Sequence, residues 1–180
     1  MALHFIIMKI LFIIAPERFR DEELFVPCDI LAKEDIEYDI ASTRTGTCTG
    51  MMGGEAEATL TIQDATEKTD DYDGIVVIGG MGSQDFLWDN KPLQALVRMF
   101  FETGKLVAAI CLAPVVLAEA GVLKGRQATV FRTPASVVEM ERGGANLVGM
   151  PVVADLDLVT ANGPAAAERF AEMIVEKLND

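Results

Sequence analysis

The sequence predicts an α/β fold: a doubly wound, mainly parallel sheet with helices on both faces and a small antiparallel insert. Three observations predict it. Apolar runs such as Ile10–Ala15, Ile75–Ile78 and Leu106–Ile110 are short and continuous rather than alternating, the pattern of strands buried on both faces. Helical patterns separate these runs, as the right-handed crossovers of a parallel sheet require. One stretch over residues 43–62, TRTGTCTGMMGGEAEATLTI, breaks the rhythm with Thr, Gly and partial alternation.

Taken in order, Ile10–Ala15 is the first buried strand, Leu24–Lys33 an amphipathic helix and Tyr38–Ser42 the second strand. Residues 43–62 form antiparallel strands joined by glycine turns. Asp73-Gly74 leads into Ile75–Ile78, and Gly79-Gly80 ends it. Pro92–Thr103 reads as a helix, with Pro92 in its first turn and Gly104 at its C-terminal end. Leu106–Ile110 is the next strand, Pro114–Leu123 a helix with Gly121 near its end, Ala128–Phe131 a short strand, and Pro134–Arg142 a helix stopped by Gly143-Gly144. Leu147–Val153 and Leu156–Thr160 read as a hairpin or edge pair, and Ala165–Leu178 as the closing helix. Ligands of such folds sit at the carboxyl ends of the strands, so the informative loops are residues 16–23, 79–85 and 111–114. No linker, repeat or low-complexity tract divides the chain, and residues 1–180 are expected to form a single domain. Met8-Lys9-Ile10 has the look of a natural start, so residues 1–7 are read as an N-terminal extension.

Composition narrows the function classes. The chain is 51% hydrophobic with a formal net charge of −13. That charge argues against nucleic acid and anionic membrane as partners, since both need basic patches. The apolar N-terminal run is interrupted by Lys9, lacks a clear cleavage site and is too short to span a bilayer. Cys28, Cys48 and Cys111 are too few and too far apart for a disulfide framework, which places the protein in a reducing cytoplasm. The only histidine is His4. A Ser-His-Asp triad, a Cys-His dyad and a His-based metal site all need an imidazole beside the chemistry. Gly79-Gly80-Met81-Gly82 does not complete a dinucleotide fingerprint and does not follow the first strand. No metal, nucleotide or flavin cofactor is expected.

Cys111 lies between a strand and a helix, where a side chain projects from a tight turn and a helix N-terminus favours a thiolate. Buried, inert cysteine fits the same pattern, and the local residues leave both readings open. The Gly79-Gly80 pair permits close backbone approach and an N–H donor for an oxyanion, or a plain turn. Glu17, Glu22 and Glu23 are either proton carriers or the acids that favour any helix start. Cys28 reads as core packing, Cys48 as a candidate dimer contact, Phe86 and Trp88 as a cap on the sheet, a substrate rim or a subunit contact, and Met51-Met52 as an apolar interface.

In this order, MKILFIIAPERFRDEELFVP, DYDGIVVIGGMG, GKLVAAICLAP and TANGPAAAERFAEMIVEKL resemble the ThiJ/PfpI superfamily over nearly the whole chain from Met8. That superfamily includes the parkinsonism-associated deglycase and chaperone and the PfpI-type intracellular peptidases. The resemblance implies a flavodoxin-like fold and makes Cys111 the elbow nucleophile. Its acid partner maps to Glu23, four residues before Pro27, and its oxyanion donors to the backbone N–H groups of Gly80 and Leu112. Two departures stand out. Peptidase-type members carry His after the cysteine, where this chain has Leu112. The parkinsonism-protein branch carries a His at the position matched by Thr133. Arg20 stands where peptidase-type members often have an acid. The expectation is a stress protein acting on small carbonyl or glycated substrates, with Cys111 attacking and Glu23 shuttling the proton. The alternative is a redox sensor or chaperone working through Cys111 oxidation. An intracellular cysteine peptidase ranks last for want of a histidine. The resemblance also implies a homodimer or larger homo-oligomer.

Overall fold

Alternate residues of the first strand point to opposite faces, and Ile10 to Ile13 are all fully buried. In the computed structural model, which describes residues 6–180, β1 (Lys9–Ile13) sends Leu11 and Ile13 into one hydrophobic cluster and Ile10 and Phe12 into another. This is the two-sided burial that the continuous apolar run requires. Then follow β2 (Glu17–Phe19), α1 (Asp21–Lys33), β3 (Glu37–Ser42), β4 (Gly46–Gly50), β5 (Glu55–Ala58), β6 (Leu60–Thr61) and α2 (Ile62–Ala65). The second half comprises β7 (Gly74–Val77), α3 (Met81–Phe86), α4 (Lys91–Glu102), β8 (Leu106–Ile110), α5 (Pro114–Glu119), β9 (Gln127–Ala128), α6 (Pro134–Arg142), β10 (Asn146–Leu147), β11 (Val152–Asp155), β12 (Leu158–Ala161) and α7 (Ala167–Leu178).

The main sheet has seven strands in the order β11-β12-β8-β7-β1-β3-β6, parallel except for the β11–β12 pair. Helices α1 and α7 pack together on one face; α4, α5 and α6 cover the other. The architecture is the expected flavodoxin-like α/β fold. From β1 the chain runs outward to β3 in one direction and crosses to β7 on the other side. The carboxyl ends of β1 and β7 therefore diverge, which opens a crevice at that point.

Residues 43–62 behave mostly as expected. β4 and β5 pair antiparallel around the turn at residues 51–54. The end of the stretch differs: β6 leaves the insert and adds a parallel edge strand to the main sheet. The unforeseen β2 pairs with β4, giving a small three-stranded sheet. Asp21 ties this sheet to α1, accepting the N–H groups of Met52 at 2.8 Å and Gly54 at 2.7 Å.

Three elements are shorter or paired otherwise than expected. Helix α5 stops at Glu119, not Leu123. Gly121 has φ +85°, its N–H reaches the Ala118 carbonyl at 3.0 Å and the Val122 N–H reaches Leu117 at 3.3 Å. This is the glycine-terminated ending that satisfies the last carbonyls. The expected strand Ala128–Phe131 keeps only Gln127–Ala128, because the Thr129 N–H goes to Thr160 Oγ1 at 2.9 Å and the Phe131 N–H to the Cys111 carbonyl at 2.8 Å. Leu147–Val153 is not one strand: β10 pairs with β9, and β11 begins only after Pro151. The expected extension at residues 1–7 lies largely outside the described residues, as does His4. Ile6 and Ile7 are exposed and belong to no element.

Phe170 on α7 is fully buried against the β-sheet face that α1 shares. Phe170→Ala should lower unfolding free energy by about 3–5 kcal/mol in urea titration, with an unchanged urea slope.

Candidate active site at the carboxyl ends of three strands

The chain reaches Cys111 directly from β8. Cys111 has φ +66°, a left-handed conformation that costs a non-glycine residue roughly 1–2 kcal/mol. Its backbone is held on both sides: the N–H donates to the Ala161 carbonyl at 2.8 Å, and the carbonyl accepts from Phe131 N–H at 2.8 Å. These bonds stabilise the strained turn and aim the side chain away from the sheet. Cys111 as a residue is only 7% exposed.

Glu23 comes from the first turn of α1 and is completely buried. Its Oε1 accepts the Gly79 N–H at 3.1 Å, while Oε2 is buried without a hydrogen-bond partner. Gly79 also accepts from Arg20 N–H at 3.0 Å. A Cβ on Gly79 would lie 2.6 Å from both Cys111 Cβ and Glu23 Oε1. Only glycine lets this peptide pass between the thiol and the carboxyl. Gly80 has φ +102°, and a Cβ there would meet the backbone of Arg18 and Arg20. The N–H groups of Gly80 and Leu112 both act on the Cys111 sulfur. The structure thus brings Cys111, Glu23, Gly80 and Leu112 together.

Burial pushes the Glu23 carboxyl up to about 8, against the pull of Cys111, Gly79 and Arg20. Burial also pushes the Cys111 thiol up, and an ionised Glu23 pushes it further, against the Gly80 and Leu112 N–H groups. The thiolate-favouring helix start is weak here: α5 is a single short helix of six residues whose first position is Pro114. The two acids therefore compete, since two adjacent buried anions repel each other.

Arg20 lies close enough to favour an ionised Glu23 and to interact with Cys111, but its Nε donates to Glu22 Oε2 at 2.8 Å, and this offsets its charge. Thr133 is the N-cap of α6. Its Oγ1 accepts the Ser136 N–H at 3.0 Å, and its own N–H donates to Ser136 Oγ at 2.8 Å. The hydroxyl is occupied by capping. Cys28 is buried on α1 as expected, its thiol pushed up to about 12 by burial. Cys48 is fully buried inside the chain, so the expected dimer contact through it does not hold. Among the described residues no cluster of three or more His, Cys, Asp or Glu side chains is arranged to hold a metal ion.

Trp88 holds the elbow from outside. Its indole N–H donates to the Leu112 carbonyl at 2.9 Å, and the neighbouring Asp89 N–H donates to Glu119 Oε2 at 2.7 Å. A lone tryptophan in an acidic loop carries no sequence signal for this role. Near the site, Met52 and Met81 are exposed, and the Met81 N–H faces Met51 Sδ at 3.4 Å.

A sequence profile of the DJ-1/PfpI family matches residues 8–177, and the chain belongs to that family. It is 42% identical to an uncharacterized protein of Methanocaldococcus jannaschii, MJ0967, over 96% of this chain and 84% of that one. It is 36% identical to a Pyrococcus furiosus protein named deglycase PfpI, over 87% of this chain and 91% of the relative. Among solved structures, a ThiJ/PfpI domain protein from Brachyspira murdochii superposes with a TM-score of 0.87 at 32% identity, covering 95% of this chain and 96% of the other. No described helix is long and apolar enough to cross a membrane.

Two measurements check the site. Between the ordinary carboxyl pKa of 4.5 and about 8, the unfolded chain has released the Glu23 proton and the folded chain retains it. Folding stability should therefore fall as pH rises through this window, by up to a few kcal/mol. Glu23→Gln should flatten that slope; equal slopes in both proteins would refute the assignment. Gly79→Ala should cost about 1–3 kcal/mol and slow Cys111 alkylation, read by denaturation and by iodoacetamide labelling.

Proposed function

We propose that this DJ-1/PfpI family member acts on reactive carbonyls in the manner of a glyoxalase or deglycase, with Cys111 as nucleophile and Glu23 as the proton carrier. The observation that carries the reading is the juxtaposition of a strained elbow cysteine with a buried carboxyl whose Oε2 has no partner. The name of the Pyrococcus furiosus relative supports the same chemistry.

The first step forms a bond between Cys111 Sγ and the aldehyde carbon while the S–H bond breaks and its proton passes to the Glu23 carboxylate. The carbonyl electron pair moves to oxygen, which the Gly80 and Leu112 N–H groups stabilise and Glu23 protonates. For a 2-oxoaldehyde, Glu23 as carboxylate then takes the proton from the former aldehyde carbon and returns it to the neighbouring carbon, while the hydroxyl proton passes to the neighbouring oxygen. The result is a thioester of a 2-hydroxy acid, and water hydrolyses it to release the thiol. One carbon is oxidised and its neighbour reduced, so no external oxidant is needed. Glu23 has to exchange protons near neutrality, and a carboxyl raised to about 8 is suited to that.

A second reading rests on the same unpartnered Oε2: a protonated Glu23 is placed to hydrogen-bond a Cys111 sulfinate, as a redox sensor or chaperone would require. Selective peroxide oxidation of Cys111 over Cys28 and Cys48 would favour it. The peptidase reading has no histidine among the described residues to serve as base. We further read residues 1–180 as one cytoplasmic domain that assembles into a homo-oligomer through apolar surface such as Met52 and Met81 and binds no nucleic acid.

Wild-type protein should consume methylglyoxal, and Cys111→Ala should not. Glu23→Gln should lower kcat by about 10²-fold or more. Consumption by Cys111→Ala at the wild-type rate would overturn the carbonyl reading.

A further inference from the structure

Two segments flank the elbow, and each is bonded to the backbone of Cys111. Phe131 donates to the Cys111 carbonyl, and Ala161 accepts its N–H. The residues that continue from these contacts, Phe131-Arg132 on one side and Asn162-Gly163-Pro164 on the other, wall a cavity of about 590 Å³. That volume is within the range of small-molecule sites. Cys111 is not part of its lining, but its backbone is bonded directly to Phe131, which is.

The cavity wall carries one charged side chain, Arg132, and no carboxylate. This is a marked local exception in a chain with a net charge of −13. Seven of the eight arginines donate to a carboxylate or a backbone carbonyl within the chain. Arg132 alone has no such partner among the described residues. Asn162 adds a neutral amide to the same wall, and the half-exposed Phe131 ring and Gly163 narrow it. A guanidinium with free donors matches a carboxylate, to which it can bond in a bidentate manner.

We infer that the Arg132 cavity binds the anionic tail of the substrate, so that the preferred carbonyl is a 2-oxoaldehyde carrying a distal carboxylate. This rests on the carbonyl reading of Cys111. The aldehyde meets Sγ at the elbow, and the tail crosses into the cavity to Arg132. Methylglyoxal has no such tail and leaves the cavity unused. On an acidic surface, an anionic substrate needs a local cation to offset the general repulsion. The bond-making steps are those given above; the tail takes no part in them.

The test compares 4,5-dioxovalerate, a carboxylated 2-oxoaldehyde, with methylglyoxal. In wild type, kcat/KM should favour 4,5-dioxovalerate. In Arg132→Gln the ratio of the two kcat/KM values should fall about tenfold or more, mostly through KM for the acid. Arg132→Lys should restore part of it. A ratio that is unchanged in Arg132→Gln, or that favours methylglyoxal in wild type, overturns the inference. A separate measurement does not depend on turnover. Titration of Cys111→Ala with levulinate, a keto acid that lacks the aldehyde, should show saturable binding that Arg132→Gln abolishes. If neither aldehyde is consumed but levulinate binds through Arg132, the carbonyl reading fails and the anion site stands. If levulinate does not bind, the anion site fails whatever the aldehydes do.

Discussion

The site depends on one peptide having no side chain. Gly79 lies where the carboxyl end of β7 meets the first turn of α1 and the elbow after β8. Its N–H holds Glu23, its carbonyl holds the Arg20 N–H, and its Cα is against Cys111. A methyl group there would have to displace the carboxyl, the thiol or the backbone of Ile110. The spacing of thiol and carboxyl is therefore set by main chain, which the parallel sheet fixes, and not by flexible side chains. The doubly wound order supplies this arrangement, because the chain reverses its direction of travel between β1 and β7 and leaves their ends open to each other.

Burial then decides the electrostatics. Glu23 is sealed by the same packing that brings it to the thiol, so the carboxyl resists ionisation near neutrality. Cys111 is subject to the same penalty. Neither helix dipole nor Arg20 removes the competition, since α5 is short and Glu22 neutralises Arg20. Packed this way, the carboxyl and the thiol both favour their protonated forms, and the site does not maintain a free thiolate.

Much of this was legible in the residues. Continuous apolar strands, the Pro92 and Pro134 helix starts and the Gly104 ending all fall where local rules place them. Local rules failed where a distant group took over a backbone hydrogen bond. Residues 129–131 look like a strand, but Thr160 and Cys111 claim their N–H groups, so the ladder ends at Ala128. The strand β2 has no apolar run of its own and exists because the insert returns to pair with it. Trp88 could be seen but not placed, since its partner is the Leu112 carbonyl across the sheet edge.

The sequence by itself determined the layer order and the position of Cys111 between a strand and a helix, and the resemblance pointed to Glu23, Gly80 and Leu112 as its neighbours. Hydrophobic period, glycine and proline are local signals, and they act over a few residues. Tertiary structure decided the rest: Cys48 is sealed, Thr133 is a cap, Arg20 is neutralised by Glu22, and Arg132 faces a cavity without a partner. Each of these depends on which groups meet across the sheet. Burial and pairing are properties of contacts between segments far apart in the chain, and no local pattern encodes them.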